Sequence, residues 1–384
     1  MADDDVLIID DGDRYGRFRL ISWWRQEKLA AAKVLVVGAG ALGNEVLKNL
    51  ALLGVGHVYI IDYDTIESSN LTRSVLCRAS DAGKSKAERA AAAVKSLNPD
   101  VKVHAVNGNV IADLGLGVYE EMDVVIGCLD NREARLWINR QCWKVNKPWV
   151  DGAIQEISGV VKVFVPPDSA CYECGMTERD YQLINLKYSC PLLKREDIAE
   201  GKVPTAPTIS AMIAGLQTQE ALKLLHGLAV KPGAAMVWNG ESNNFYTTAY
   251  QRKDGCLSHE TYGVPVAAPL RSSDRVEALL ASVKGRRIQL DRDLLVDVEC
   301  PACRTKREIL RPVATVTLRD GKCGSCGAVM KTTIVHEVEQ GSPLAAKTLR
   351  EVGVAPFDVV KVETETDGIY VRLEGDRTLQ MAWS

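Results

Sequence analysis

The sequence predicts an α/β protein built on a doubly wound parallel sheet, followed by a smaller C-terminal α+β module. Three observations lead there. Apolar strand runs alternate with helical runs from Val34 to about Val150, which is the pattern of such a sheet. The first strand, "VLVVGAG", is apolar throughout rather than alternating, as a strand buried on both faces must be. After Trp149 the pattern gives way to short strands, one long apolar helix and paired cysteines.

Taken in order, residues 1–32 read as a polar lead-in and a helix, with "RYGRFRLISWW" supplying arginines and apolar anchors. A helix from Gly43 to Leu53 follows the first strand, and "HVYIID" is the second strand. "KSKAERAAAAVKSL" is an alanine-rich amphipathic helix that stops at Asn98–Pro99, because the residue before a proline disfavours helix. "VKVHAVN" and "DVVIGCLD" are further strands, and "NREARLWINRQCWKVN" is the helix after the latter. "AIQEISGVVKVFVPP" reads as two strands joined by a Ser-Gly turn, and residues 175–206 as a polar, irregular crossover loop. "PTISAMIAGLQTQEALKLLHGL" is a long buried helix and "AMVWNGESNNFYTTAYQ" a hairpin. Residues 1–262 then form one domain, 263–274 a linker, 275–340 a cysteine-bearing ribbon and 341–384 a small tail of helix, turn and strands.

Bulk properties bound the function classes. At 384 residues the chain has room for two or three domains, with 46% hydrophobic and 25% charged residues, as in a globular protein. A net charge of -3 gives no reason to expect nucleic-acid or membrane-surface binding. No apolar run reaches the length of a bilayer span. The start, "MADDDVLIIDDGD", lacks the basic and apolar regions of a signal peptide, so a reducing cytoplasm is expected. Eleven cysteines there need a reason other than disulfides.

Gly38, Gly40 and Gly43 lie between a strand and a helix, where backbone can approach a phosphate. Nicotinamide, flavin and nucleotide enzymes all share that turn. Asp62 ends the next strand and can accept hydrogen bonds from a ribose. What decides between NAD and ATP lies beyond it, in "DYDTIESSNLTRS" and "GKSKAE". Asn70, Arg73 and Lys86 have no use at a nicotinamide site, whereas a triphosphate needs the fork of an arginine and the point charge of a lysine. Lys86 opens a helix, where a cation opposes the dipole, so a phosphate partner explains it better than stability does. Asp130 ends "VIGCLD" at the carboxyl edge of the sheet, a place from which a carboxylate can hold Mg2+ against phosphates.

With "RYGRF", "GAGALG", "DYDTIESSNLTR", "GKSKAE", "CLDN", "CYEC" and "GLQTQEALKLL" in place, the chain resembles the ThiF/MoeB/HesA adenylyltransferases and the adenylation domains of ubiquitin-activating enzymes over residues 10–262. The resemblance implies a Rossmann-like adenylation domain using ATP and Mg2+. It implies that Asp62 contacts the ribose, that Asn70, Arg73 and Lys86 contact the phosphates, and that Asp130 positions Mg2+. It also implies that Arg14 reaches the ATP of a partner subunit, and hence a homodimer. Ser74 departs from the family, which has Gln after the arginine.

The cysteines explain themselves by spacing. Cys171/Cys174 and Cys256/His259 make one quartet of Zn2+ ligands, with His259 where the family carries Cys. Cys300/Cys303 and Cys323/Cys326 make a second, of zinc-ribbon type. Each quartet is closed with four ligands and therefore structural. Cys190 lies in the irregular loop beside Lys187, Lys194 and Arg195, cations that favour a thiolate; it is either a loop thiol or a nucleophile.

The function expected is activation of the C-terminal glycine of a ubiquitin-like protein as an acyl-adenylate, with transfer to Cys190 and then to a conjugating enzyme. The tail 341–384 is a candidate ubiquitin-fold docking module for that enzyme. Three alternatives stand: a sulfur-carrier adenylyltransferase of thiamine or molybdopterin type, an enzyme acting on a peptide, and a non-catalytic scaffold. Retention of Arg73, Lys86 and Asp130 argues against the last.

Overall fold

A computed structural model of the chain describes residues 12–185, 204–317 and 319–384. Helix α1 (Gln26–Ala31) leads into strand β1 (Lys33–Val37) and helix α2 (Ala41–Leu53), which stops where Gly54 turns left-handed at φ +71. Strand β2 (His57–Asp62), helix α3 (Lys86–Leu97), strand β3 (Lys102–Asn107) and helix α4 (Leu116–Glu121) continue the alternation. Strand β4 (Val124–Gly127), helix α5 (Arg132–Lys144) and strand β5 (Trp149–Gln155) complete it. Next come β6 (Ser158–Phe164), α6 (Glu178–Asn185), α7 (Pro207–His226), β7 (Ala234–Asn239) and β8 (Asn244–Ala249).

These strands make one eight-stranded sheet in the order β3-β2-β1-β4-β5-β6-β7-β8, parallel through β5 and antiparallel beyond. Alternate residues of β1 serve opposite cores. Val34 and Val36 pack with α2, α3 and α7, while Leu35 and Val37 pack with α4 and α5. The strand order reverses between β1 and β4, so a crevice opens beyond their carboxyl ends. No described helix is long and apolar enough to cross a membrane.

Three local expectations are corrected. The turn between β5 and β6 is Glu156–Ile157, not Ser-Gly: Gln155 pairs with Ser158, and Glu156 takes φ +54. Gly159 is needed for packing instead, since a Cβ there would lie 2.4 Å from Ile213. Within 175–206, Glu178–Asn185 is helical because Tyr181 and Ile184 share a face packed on the second core.

The segment read as a linker, 263–274, carries strand β9 (Val266–Ala268). It belongs to a second sheet with helix α8 (Val276–Val283), β10 (Arg287–Glu299), β11 (Lys306–Pro312), β12 (Lys331–Glu339), β13 (Val359–Glu363) and β14 (Gly368–Leu373). Its order is β11-β10-β13-β14-β9, with β12 also on β10. Pro265 and Pro269 make β9 look like a linker, and an edge strand is where prolines are tolerated. Because β10 pairs with both β11 and β13, ribbon and tail share one sheet.

Helix α9 (Arg377–Gln380) and the last residues return to the first sheet. Val103 and Ser384 exchange backbone hydrogen bonds at 3.0 and 3.1 Å, and Trp383 packs edge-on against His57 and Tyr59. The chain end thereby covers edge strand β3, whose open backbone would otherwise invite pairing.

Candidate active site

The glycine turn is shaped by contact. At Gly38 (φ +94) a Cβ would lie 2.5 Å from the carbonyl oxygen of Cys128, and at Gly43 it would lie 1.9 Å from that of Gly38. Gly40 meets nothing, so its open side faces the crevice. It precedes α2 without a side-chain cap, leaving the first N–H groups of that helix for an anion.

The residues expected around this turn line one cleft of about 1100 Å3: Gly38, Gly40, Asp62, Asn70, Arg73, Lys86 and Asp130. Asp62 ends β2 and accepts from Ala39 N at 2.7 Å and Asp64 N at 2.8 Å, which aims its remaining lone pairs outward. Burial pushes its carboxyl above the ordinary range, against those N–H groups and the charge of Lys86. Lys86 Nζ pairs with Asp64 Oδ2 at 2.7 Å, and Arg73 donates to Ser69 O at 3.0 Å. Asn70 Oδ1 accepts from Glu67 N at 3.1 Å and fixes the turn that carries Arg73. Asp130 stands exposed beyond β4. Ser74, the departure from the family pattern, is buried at the cleft wall.

Two further residues line this cleft, Arg135, which is backed by buried Asp151, and Lys162. Arg135 and Asp151 form a buried ion pair at 2.9 Å, and Arg135 also donates to the carbonyls of Leu129 and of Gly152, the latter at 3.1 Å. Lys162 extends over the rings of Tyr172 and Tyr250, 5.0 and 5.7 Å from their centroids. Among described cleft cations, Lys86 and Arg132 pair with acids, whereas Lys162 is held over aromatic faces and makes no ion pair among the described residues. A lysine inside the apolar run "GVVKVF" and an aspartate inside "WVDGA" were the available signals.

The ThiF family model matches residues 13–257, well over half of the chain. The chain belongs to the ThiF family. It is 33% identical to "Ubiquitin-like modifier-activating enzyme 5" of Dictyostelium discoideum, over 52% of this chain and 54% of that protein. It is also 33% identical to "SAMP-activating enzyme E1" of Haloferax volcanii, over 64% of this chain and 87% of that one. The "Sulfur carrier protein ThiS adenylyltransferase" of Escherichia coli is 29% identical over 60% of this chain and 87% of its own. The first of these relatives is matched over only about half its length. A crystal structure of E. coli MccB with ATP superposes at a TM-score of 0.55, covering 65% of this chain and 74% of that one, with 23% identity, a likeness of fold.

Three residues of the first quartet lie within the ThiF match and the fourth, His259, lies two residues beyond it. Cys171 Sγ lies 3.6 Å from Cys174 Sγ and from Cys256 Sγ, and Cys174 Sγ lies 3.5 Å from His259 Nε2. Zn–S bonds of about 2.3 Å in a tetrahedron put sulfurs roughly 3.7 Å apart, so the spacing fits Zn2+. Burial and the neighbouring Arg252 hold the His259 pKa down, the direction that favours the neutral imidazole a metal ligand must be. The second quartet lies outside the ThiF domain, with Cys300–Cys326 at 3.5 Å and Cys303–Cys323 at 3.6 Å. In each set the four ligand atoms lie within 4.8 Å of one another.

Two expected residues stand apart. Arg14 donates to Leu97 O at 2.9 Å from an exposed position and does not line the cleft of its own chain. Cys190, with Lys187, Lys194 and Arg195, lies outside the described residues.

Proposed function

We propose that this chain is an ATP-dependent adenylyltransferase that activates the C-terminal carboxylate of a ubiquitin-like protein ending in glycine. The observation that carries this reading is the meeting of the glycine turn, Asp62, Asn70, Arg73, Lys86 and Asp130 in one cleft. The carrier carboxylate attacks the α-phosphorus of ATP, the bond to the bridging oxygen breaks, and pyrophosphate leaves with that electron pair. An acyl-adenylate results. The carboxylate is already ionised, so no general base is required; catalysis is positioning and charge neutralisation. Asp62 orients the ribose, while Arg73 and Lys86 offset phosphate charge. Asp130 holds Mg2+, which supplies further neutralisation. The carrier tail enters on the β5–β6 side, where Lys162 offers a cation held over two tyrosine rings.

Arg14 completes the site of the second subunit in a homodimer, which an isologous twofold pair satisfies. The Cys190 thiolate attacks the carbonyl carbon of the acyl-adenylate, the bond to the adenylate oxygen breaks, and AMP leaves with that electron pair; the resulting thioester is then handed over to a conjugating enzyme. The ThiS adenylyltransferase relative, matched over 87% of its length, favours sulfur-carrier activation as the second reading.

The test is ATP–pyrophosphate exchange with purified glycine-terminated carriers of both kinds. Carrier-dependent exchange by the wild type, lost in Asp130→Ala with Tm unchanged, supports the assignment. Exchange surviving in Asp130→Ala removes Asp130 from the site. A reducible enzyme–carrier conjugate absent in Cys190→Ala separates the modifier reading from direct sulfur transfer. Recovery of exchange on mixing Arg14→Ala with Lys86→Ala chains tests the dimer, and no recovery rejects a role for Arg14 in trans.

A further inference from the structure

The turn Val313–Thr315 and its continuation to Thr317 come from the second sheet, yet residues 314–317 line the same cleft as Asp62 and Asp130. Their place in it follows from three contacts. Pro312, which opens the turn, packs on Gly353, where a Cβ would lie 3.2 Å from the proline ring. Three residues before Gly353, Arg350 donates to Ala112 O at 2.9 Å and pairs with Asp113. Arg292 of β10 is buried, donates to the carbonyls of Ile111 and of Leu114 (3.0 Å), and pairs with Asp358 at 2.6 Å. Arg292 of the second sheet and Arg350 of the turn before β13 thus grip the loop after β3, and Ala314 packs against the core that includes Val110 and Ile111.

That loop is the end of the cleft where a nucleotide base belongs. In the sheet order, β2 and β3 lie on one side of the glycine turn and β4 and β5 on the other. With phosphates at the glycine turn and ribose at Asp62, the base extends away from Asp130, toward Asn109, Val110 and Ile111. We propose that Ala314–Thr317 is part of the nucleotide site, walling the base end and setting affinity for the purine. The inference rests on the adenylyltransferase reading. The wall is stiff: Thr317 N and Oγ1 both donate to Asp320 Oδ2 at 2.8 Å, and Asp320 pairs with Arg311 at 2.6 Å. Val316 shares a small buried core with Cys300, Cys323 and Met330, so the wall packs directly on two residues of the second quartet.

Calorimetric titration of the full-length chain with Mg·ATP, and separately with Mg·pyrophosphate as a probe of the phosphate end alone, tests this. Ala314→Trp crowds the base end and weakens Mg·ATP by about tenfold or more while pyrophosphate binding holds. Arg350→Gln frees Ala112 and Asp113 and weakens Mg·ATP severalfold; it carries the test should Ala314→Trp not fold. Wild-type affinity for Mg·ATP in both variants overturns the inference, as does equal loss of ATP and pyrophosphate. A wild type that binds no Mg·ATP overturns the enzyme reading itself.

Discussion

Lys86 Nζ lies 2.7 Å from Asp64 Oδ2, while Lys86 N donates to Asp64 O at 3.0 Å, so one residue pair joins the start of α3 twice to the segment two residues beyond β2. The backbone bond fixes the lysine's origin and the carboxylate holds its ammonium at the mouth of the cleft. A triphosphate carries more charge than one aspartate and can draw the ammonium away. Asp64 is half exposed, and pairs of that kind contribute at most about 1 kcal/mol. Lys86→Ala is therefore expected to change Tm by only about 2 °C, yet to lower kcat/KM for ATP–pyrophosphate exchange by roughly 10^2 to 10^3. Exchange kinetics and a thermal melt on the same preparation check both halves. A large Tm loss with exchange intact makes Lys86 a structural residue.

The two quartets predict about two Zn2+ per chain, from eight ligands in two closed sets. Elemental analysis of protein purified without chelators measures it. His259→Ala is expected to lower the count by about one and to depress Tm, because structural zinc contributes folding energy directly. An unchanged count returns His259 to a packing role, stacked on Trp143.

What the sequence made legible follows from how residues are brought together. Asp62 ends β2 and Asp130 stands just beyond β4, whose uninterrupted apolar runs mark them as central parallel strands, while Asn70 and Lys86 follow on the connection from β2 to the start of α3. Their meeting at the switch point follows from strand order alone. Lys162 and Arg135 reach the cleft differently: Lys162 lies opposite Asp151 across the antiparallel β5–β6 pair. Thr315 reaches it only because a second sheet, assembled from strands spread between Val266 and Leu373, docks through Arg292 and Arg350. No local spacing encodes such a contact. Pro265 and Pro269 hid β9 for a related reason, since its identity as a strand depends on a partner a hundred residues away.

Arg135 and Asp151 give a stability prediction. Both side chains are buried and Asp151 Oδ2 has no hydrogen-bond partner among the described residues, so removing the guanidinium leaves an uncompensated charge. Arg135→Ala is expected to cost about 3–5 kcal/mol in urea denaturation. Arg135→Met combined with Asp151→Leu is expected to recover most of that loss, because neither charge is then stranded. If the double variant is as unstable as Arg135→Ala, the bonds from Arg135 to Leu129 and Gly152 matter more than the charge pair.

Asp62 sets opposite signs for affinity and stability. Burial raises its carboxyl pKa, outweighing the Ala39 and Asp64 N–H groups and Lys86. A raised acid pKa means the folded chain binds the proton more readily than the unfolded chain, whose aspartate titrates near about 3.9. The cost of keeping Asp62 ionised is therefore present at neutral pH and is relieved as pH falls through the raised value. Its capacity to accept from ribose hydroxyls is lost over the same interval. Mg·ATP affinity should then begin to fall at a higher pH than an ordinary carboxylate would impose. Asp62→Asn should weaken binding about tenfold at pH 7, the worth of one charged hydrogen bond, and remove that acid limb. Its amide oxygen can accept from only one of the two N–H groups that Asp62 serves, so relief of the buried charge is offset by one lost hydrogen bond and Tm should change little. Calorimetric titration between pH 5 and 8 at constant ionic strength, paired with melts of both proteins, measures each sign. An Asp62→Asn chain that loses Tm while keeping the acid limb would place this carboxylate in the fold and assign the limb to another acid of the cleft.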